Sequence, residues 1–87
     1  MNIVFTSESL DEYMDWANED RKTLKRIHKI LKDIVRSPHE GLGKPEPLKG
    51  ELSGFWSRRI DDKHRIVYEV ANGQCCIIQC KGHYDDK

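Results

Sequence analysis

Apolar positions follow two different periods along the chain, and the change from one to the other marks out the elements. Residues 2–5, "NIVF", form a short apolar run with β-branched members, and the "TSES" behind it offers hydroxyl N-caps, with Glu8 suited to a first helical turn. A strand is therefore predicted to lead into a helix. Over residues 8–18, Leu10, Tyr13, Met14 and Ala17 recur at helical spacing, which gives an amphipathic helix with an acidic outer side. A second helix, about residues 20–36, carries Leu24, Ile27, Leu31, Ile34 and Val35 as its apolar stripe. It stops before Pro38, whose ring disfavours helix at the preceding residue.

The period is then lost. "SPHEGLGKPEPLKGELSG", residues 37–54, holds all three prolines among several glycines and reads as an irregular connection carrying Glu46 and Lys49. Loops this long in small domains are often functional. A period of two takes over in three strands near 54–61, 64–71 and 74–81, joined at "DDK" and "NG"; Asn72-Gly73 is a strong tight-hairpin signal. The order β-α-α-β-β-β predicts an α+β fold, an antiparallel sheet with both helices packed on one face.

Alternation also assigns faces. In "HRIVYEV" it separates His64, Ile66, Tyr68 and Val70 from Arg65, Val67 and Glu69. If the helices cover the first set, Arg65 lies on the other face, where a guanidinium can grip phosphate with two parallel hydrogen bonds. Arg58 and Arg59 are adjacent and point to opposite sides, so only one of them joins Arg65. The other is expected in a surface or rim ion pair with Asp61, Asp62 or Glu69, and Phe55 and Trp56 are expected to serve packing.

Length and composition narrow the picture further. At 87 residues the chain is expected to form one domain over 1–87. It is 34% charged, and no apolar run approaches the roughly 20 residues of a membrane span. Nothing at the amino end resembles a signal peptide. The expectation is a cytoplasmic protein with no membrane association. Cys75, Cys76 and Cys80 read as small core thiols; a zinc site with His83 is disfavoured because alternation sends Cys75 and Cys76 to opposite faces, and neither metal nor cofactor is expected. The formal net charge is zero, but residues 1–20 hold six acids and no Lys or Arg, whereas 21–36 hold seven bases against Asp33 alone. That asymmetry gives a neutral protein a basic face able to attract polyphosphate. Any one lysine reads as ordinary solvated surface; Lys22, Lys25, Lys29 and Lys32 as a set read as an RNA footprint.

The chain closes with "KGHYDDK". His83 and Tyr84 stand just past the last predicted strand, and two readings are equally open there: a frayed polar tail, or a proton donor beside a stacking ring. Metal-free RNA cleavage needs a base for the ribose 2′-OH, cations for the charge that builds on phosphorus, and an acid for the leaving 5′-oxygen. Glu46, then Arg65 with Lys49 and Arg59, then His83 can fill those roles.

The stretch "GKPEPLKGELSGFWSRRIDDKHRIVYEV" followed by "CKGHY" closely resembles the YoeB (Txe) family of bacterial toxins, within the wider RelE-like group. The likeness extends over nearly the whole chain, including "SESLDEYMDW" and the basic second helix. It implies a ribosome-dependent mRNA endonuclease acting in the decoding site, held inactive by a cognate antitoxin of the YefM/Axe kind and meeting operator DNA only through the antitoxin complex. Family roles fall on Glu46 as general base, Lys49 and Arg59 on phosphate, Arg65 on the transition state, His83 as general acid and Tyr84 on a nucleotide. Such toxins occur as homodimers bound to antitoxin, although no stripe here marks a dimer interface. One departure from the pattern is Gly82, where a larger residue is usual before the His-Tyr pair. The alternative is a non-catalytic toxin of the same fold that binds a protein target such as gyrase; a third reading is a passive RNA-binding or co-repressor module.

Overall fold

The opening strand and helix form where the hydroxyl residues predict. In the computed structural model, which describes residues 1–82, β1 spans Asn2–Phe5 and α1 spans Ser7–Glu19. Thr6 caps α1 reciprocally with Ser9, each side chain accepting the other's amide. The buried Ser9 hydroxyl also donates to the Ile77 carbonyl at 2.7 Å, which fastens the cap to the sheet. Asp20 ends α1 and caps α2, Arg21–Arg36; the Thr23 hydroxyl and amide hold its carboxyl below the usual range.

Helix α2 buries Ile27, Ile30, Leu31 and Ile34, spaced i, i+3, i+4, i+7. The expected stripe is shifted slightly: Ile30 joins it, Leu24 is only partly buried and Val35, at the edge of the arc, is exposed. Helix α1 is rotated further from expectation. Leu10 and Met14 are exposed, while Ser9 and Trp16 are buried and Tyr13 partly so. The rotation follows polar ties to the sheet: Glu12 Oε1 accepts the Cys80 amide at 2.7 Å and Trp16 Nε1 donates to the Cys80 carbonyl at 2.8 Å. Buried hydrogen bonds of this kind cost more to leave unmade than two solvent-facing apolar side chains do.

The "KPEP" segment, expected to be irregular throughout, contains a two-residue strand, β2 at Glu46–Pro47, and a 3-10 turn follows at Gly50–Leu52. Strands β3, Trp56–Arg59, β4, Arg65–Ala71, and β5, Gln74–Gln79, complete a sheet ordered β1-β5-β4-β3-β2. The predicted β-α-α-β-β-β order and helix layer are present, with β2 as an added short strand after the helices; the sheet is mixed, because β1 runs parallel to β5 while the remaining pairs are antiparallel. Two helices between β1 and the rest return the chain to the far side of the sheet, which leaves the last strand to meet the first. Asn72 and Gly73 both take positive φ in the β4–β5 turn, as that dipeptide does in a tight hairpin.

Cross-strand register divides the sheet into two faces, with one irregularity in the β4–β5 ladder between Val67 and Tyr68. Trp56 opposes Tyr68, Arg58 opposes Ile66, and Val70 opposes Cys75 on the helix side. Cys75 and Cys80 are buried there, and burial pushes their thiols up to about 11 and about 12, so both stay protonated and inert. Arg58 lies on that side too, and here the expected rim ion pair is corrected. Its side chain is 0% exposed and paired with Asp33 of α2 at 2.6 Å, not with Asp61, Asp62 or Glu69. All five guanidinium hydrogens find acceptors: Asp33, the Leu42, Ser37 and Glu40 carbonyls, and the Tyr68 hydroxyl. Tyr68 in turn donates to the Pro38 carbonyl, and the Leu42 amide donates to Asp33. A Cβ on Gly41 would sit 2.0 Å from Asp33 Oδ2, so only glycine lets the 37–42 segment close on this centre. The Leu42 amide and the Arg58 guanidinium together hold the Asp33 carboxyl down at about 2.

Candidate active site

The face turned away from the helices is built from the β2–β3–β4 ladder. Glu46 opposes Ser57, and Arg59 opposes Arg65. Ser57 and Arg59 are two residues apart on one strand, so Glu46, Arg59 and Arg65 share this face, with Glu46 roughly 8 Å from Arg59 by ladder spacing. Two arginines directly opposite each other repel. The Arg59–Arg65 pair concentrates positive charge on this face, offset in part by the Asp61 carboxylate near Arg65, and a phosphate would offset it further.

Local backbone contacts set these side chains. The Arg59 amide donates to the Gly43 carbonyl at 2.6 Å, and a Cβ on Gly43 would meet the Arg59 carbonyl at 2.7 Å. Glycine is required for that approach, which brings Lys44, at φ 52, next to β3. An open cleft beside Arg59 is lined by Arg26, Lys44, Asp61 and Asp62. Arg65 is half-buried; its Nη1 donates to the Asp61 and His64 carbonyls. Asp61 shapes that turn by accepting the Lys63 and His64 amides; burial acts to raise its carboxyl, but those bonds and the Arg65 guanidinium hold it below the usual range. Lys49 stands exposed at the head of the 3-10 turn, three residues past Glu46.

The approach to the last predicted residues is held from both layers. Glu12 and Trp16 take the two backbone groups of Cys80, and Lys81 pairs with Glu19 at 2.5 Å, a bond that raises its ammonium above the usual value. The Gly82 carbonyl accepts the Arg65 amide at 2.9 Å. Gly82, the residue before His83, thus sits at the backbone of Arg65. His83 and Tyr84 themselves lie outside the described residues.

Lys22, Lys25, Lys29 and Lys32 form one exposed stripe on α2, across the helix from Ile27 and Ile34. They face outward from the helix layer, whereas Glu46, Arg59 and Arg65 face outward from the sheet, so the structure makes two separate surfaces of them. Sequence reasoning missed the Asp33–Arg58 centre and the ties on Cys80. The lone acid in the basic helix was the available signal for the first; nothing in the sequence pairs it with an arginine 25 residues away. Among the described residues no three His, Cys, Asp or Glu side chains group as a metal site.

Two helices over a five-stranded mixed sheet place the chain in the RelE-like fold class. A chain of a toxin–antitoxin complex from Mycobacterium tuberculosis shares this fold at TM-score 0.69 and 20% identity over 94% of this chain and 96% of its own. Within that class the chain belongs to the YoeB-like toxins of bacterial type II toxin–antitoxin systems, whose family pattern matches residues 5–84. It is 55% identical to Toxin YoeB of Streptomyces coelicolor over 84 residues, 97% of this chain and all of that one. A solved YoeB/ParE toxin from Agrobacterium tumefaciens superposes with TM-score 0.94 at 42% identity, covering 97% of this chain and 100% of that one. The heterotetrameric YoeB–YefM toxin–antitoxin complex from Staphylococcus aureus contains a chain matching at TM-score 0.89 and 42% identity, with 97% and 98% covered.

Proposed function

We propose that this toxin is a metal-independent endoribonuclease that cleaves mRNA in the ribosomal A site and so arrests translation. What supports the reading is the shared face of Glu46, Arg59 and Arg65, with the chain tied at Gly82 to Arg65 just before His83. Glu46 takes the proton of the ribose 2′-OH, and the 2′-oxygen attacks the adjacent phosphorus. Arg65, with Arg59 and Lys49 on the phosphate oxygens, offsets the negative charge that builds there. His83 gives its proton to the 5′-oxygen as the P–O5′ bond breaks, and Tyr84 holds the nucleotide. The lysine stripe of α2 binds ribosomal RNA from the other side of the molecule. Residues 1–87 act as one toxin domain in the cytoplasm, as a monomer or homodimer, neutralised by an antitoxin like the YefM of the Staphylococcus complex.

Mapping mRNA ends after incubation with translating ribosomes tests this. The upstream fragment is expected to end in a 2′,3′-cyclic phosphate or 3′-phosphate and the downstream fragment in a 5′-hydroxyl. Replacing Glu46 by Gln should slow cleavage by about 10²–10⁴-fold, the usual contribution of general-base catalysis, without unfolding the protein. Recovery of 5′-phosphate ends, or intact mRNA alongside inhibited gyrase, would overturn the reading.

A further inference from the structure

The proposed reaction leaves one well-placed imidazole unused. His64 sits half-buried at the entrance to β4, edge-on to Trp16 with ring centroids 4.8 Å apart. Its Nδ1 accepts the backbone amide of Gly82 at 2.6 Å. An accepting ring nitrogen carries no proton, so the hydrogen of the neutral ring is on Nε2. The neighbouring Arg65 amide donates to the Gly82 carbonyl at 2.9 Å. His64 and Arg65 therefore hold both backbone polar groups of Gly82, one through a side chain and one through the main chain. Gly82 has φ +81 and no Cβ, so its own dihedrals do little to fix the direction in which the chain continues. The Arg65 bond fixes the carbonyl side of Gly82 but not its amide side.

We propose that His64 is a positioning residue for cleavage: its Nδ1 on the Gly82 amide, together with the Arg65 amide on the Gly82 carbonyl, fixes both peptide planes at Gly82 and so sets where the chain delivers His83. The inference rests on the endonuclease reading above, which makes His83 the acid. Its energetic basis is that proton transfer in the transition state tolerates little misplacement; an error of about 1 Å costs on the order of 10²-fold in rate.

Hydrogen bonding and packing against Trp16 make opposite demands on position 64, and this separates them. Asparagine puts Oδ1 the same two bonds beyond Cβ as Nδ1 and gives up the ring, whereas phenylalanine keeps the ring and loses the acceptor. Single-turnover cleavage of ribosome-bound mRNA, measured across toxin concentrations, should find His64→Phe slowed about 10²-fold at saturation with half-saturation changed less than about twofold. His64→Asn should regain most of the wild-type rate. In parallel, amide exchange at Gly82 should accelerate in His64→Phe and not in His64→Asn, and the wild-type imidazole ¹⁵N shifts should report hydrogen on Nε2. A wild-type protein that cleaves while His64→Phe cleaves equally fast, or a reversed order of the two variants, overturns the proposal alone. Hydrogen on Nδ1 overturns it without recourse to any variant. A wild-type protein that leaves mRNA intact removes the endonuclease reading, and the proposal with it.

Discussion

Arg58 and Arg59 stand side by side and do unrelated work, because a strand turns each residue to the opposite face from its neighbour. Arg58 is enclosed with every donor bonded, so removing it takes from Asp33 its buried cation and from the Ser37, Glu40 and Leu42 carbonyls their shared donor. Arg58→Ala should cost about 3–5 kcal/mol, as breaking a buried pair from one side does, read as the shift in a urea unfolding curve. Arg59 is exposed, and Arg59→Ala should leave that curve within about 0.5 kcal/mol while weakening cleavage. Equal stability of the two variants would refute the contrast. Asp33 adds a pH dependence of known sign. Its folded value, about 2, lies below the ordinary 3.8, so it contributes stability that is fully present above about pH 4 and is lost as pH falls toward 2. Asp33→Asn should therefore be less stable than wild type at pH 6, with the gap narrowing steadily below pH 4; a gap independent of pH would contradict the assignment.

At the scale of elements, α2 serves two purposes on its two sides. Its inner arc packs on the sheet and its outer stripe carries Lys22, Lys25, Lys29 and Lys32. Because the stripe lies across the helix from the core, converting all four to glutamine should leave the fold intact and act on ribosome association alone. The expected result is weaker binding with a log–log salt slope flattened by about 3, since each phosphate contact contributes roughly 0.7–0.9 to that slope. Unchanged affinity through a salt titration would return the stripe to ordinary solvated surface. Helix α1 is a different case: its inner face is chosen as much by Ser9, Glu12 and Trp16 reaching backbone groups of β5 and Cys80 as by apolar period.

For the molecule as a whole, the sheet ends before the proposed acid. Strand β5 closes at Gln79, and Cys80 to Gly82 are held by α1 and by the entrance to β4. Deleting residues 83–87 should accordingly abolish cleavage and leave the thermal midpoint close to wild type, whereas deleting 85–87 should keep cleavage. Loss of the folded state in the first deletion, or cleavage without His83, would contradict this division of labour between scaffold and tail.

Much of this was written in the order of residues. Period alone fixed both helices to within a residue or two, and alternation alone set Arg65 and Ile66 on opposite faces, because each is a property of neighbouring positions. The hairpin at Asn72-Gly73 is equally local. Resemblance named Glu46, Arg59 and Arg65, and the ladder then brought them to one face. What the chain order could not supply was which distant groups meet. The union of Asp33 with Arg58, the strand at Glu46–Pro47, the rotation that exposes Leu10 and Met14, the parallel pairing of β1 with β5 and the capture of Gly82 by His64 all join segments remote in sequence. Such contacts repay the entropy of closing a loop only when the packed layers bring both partners to the same point, so tertiary structure alone decided them.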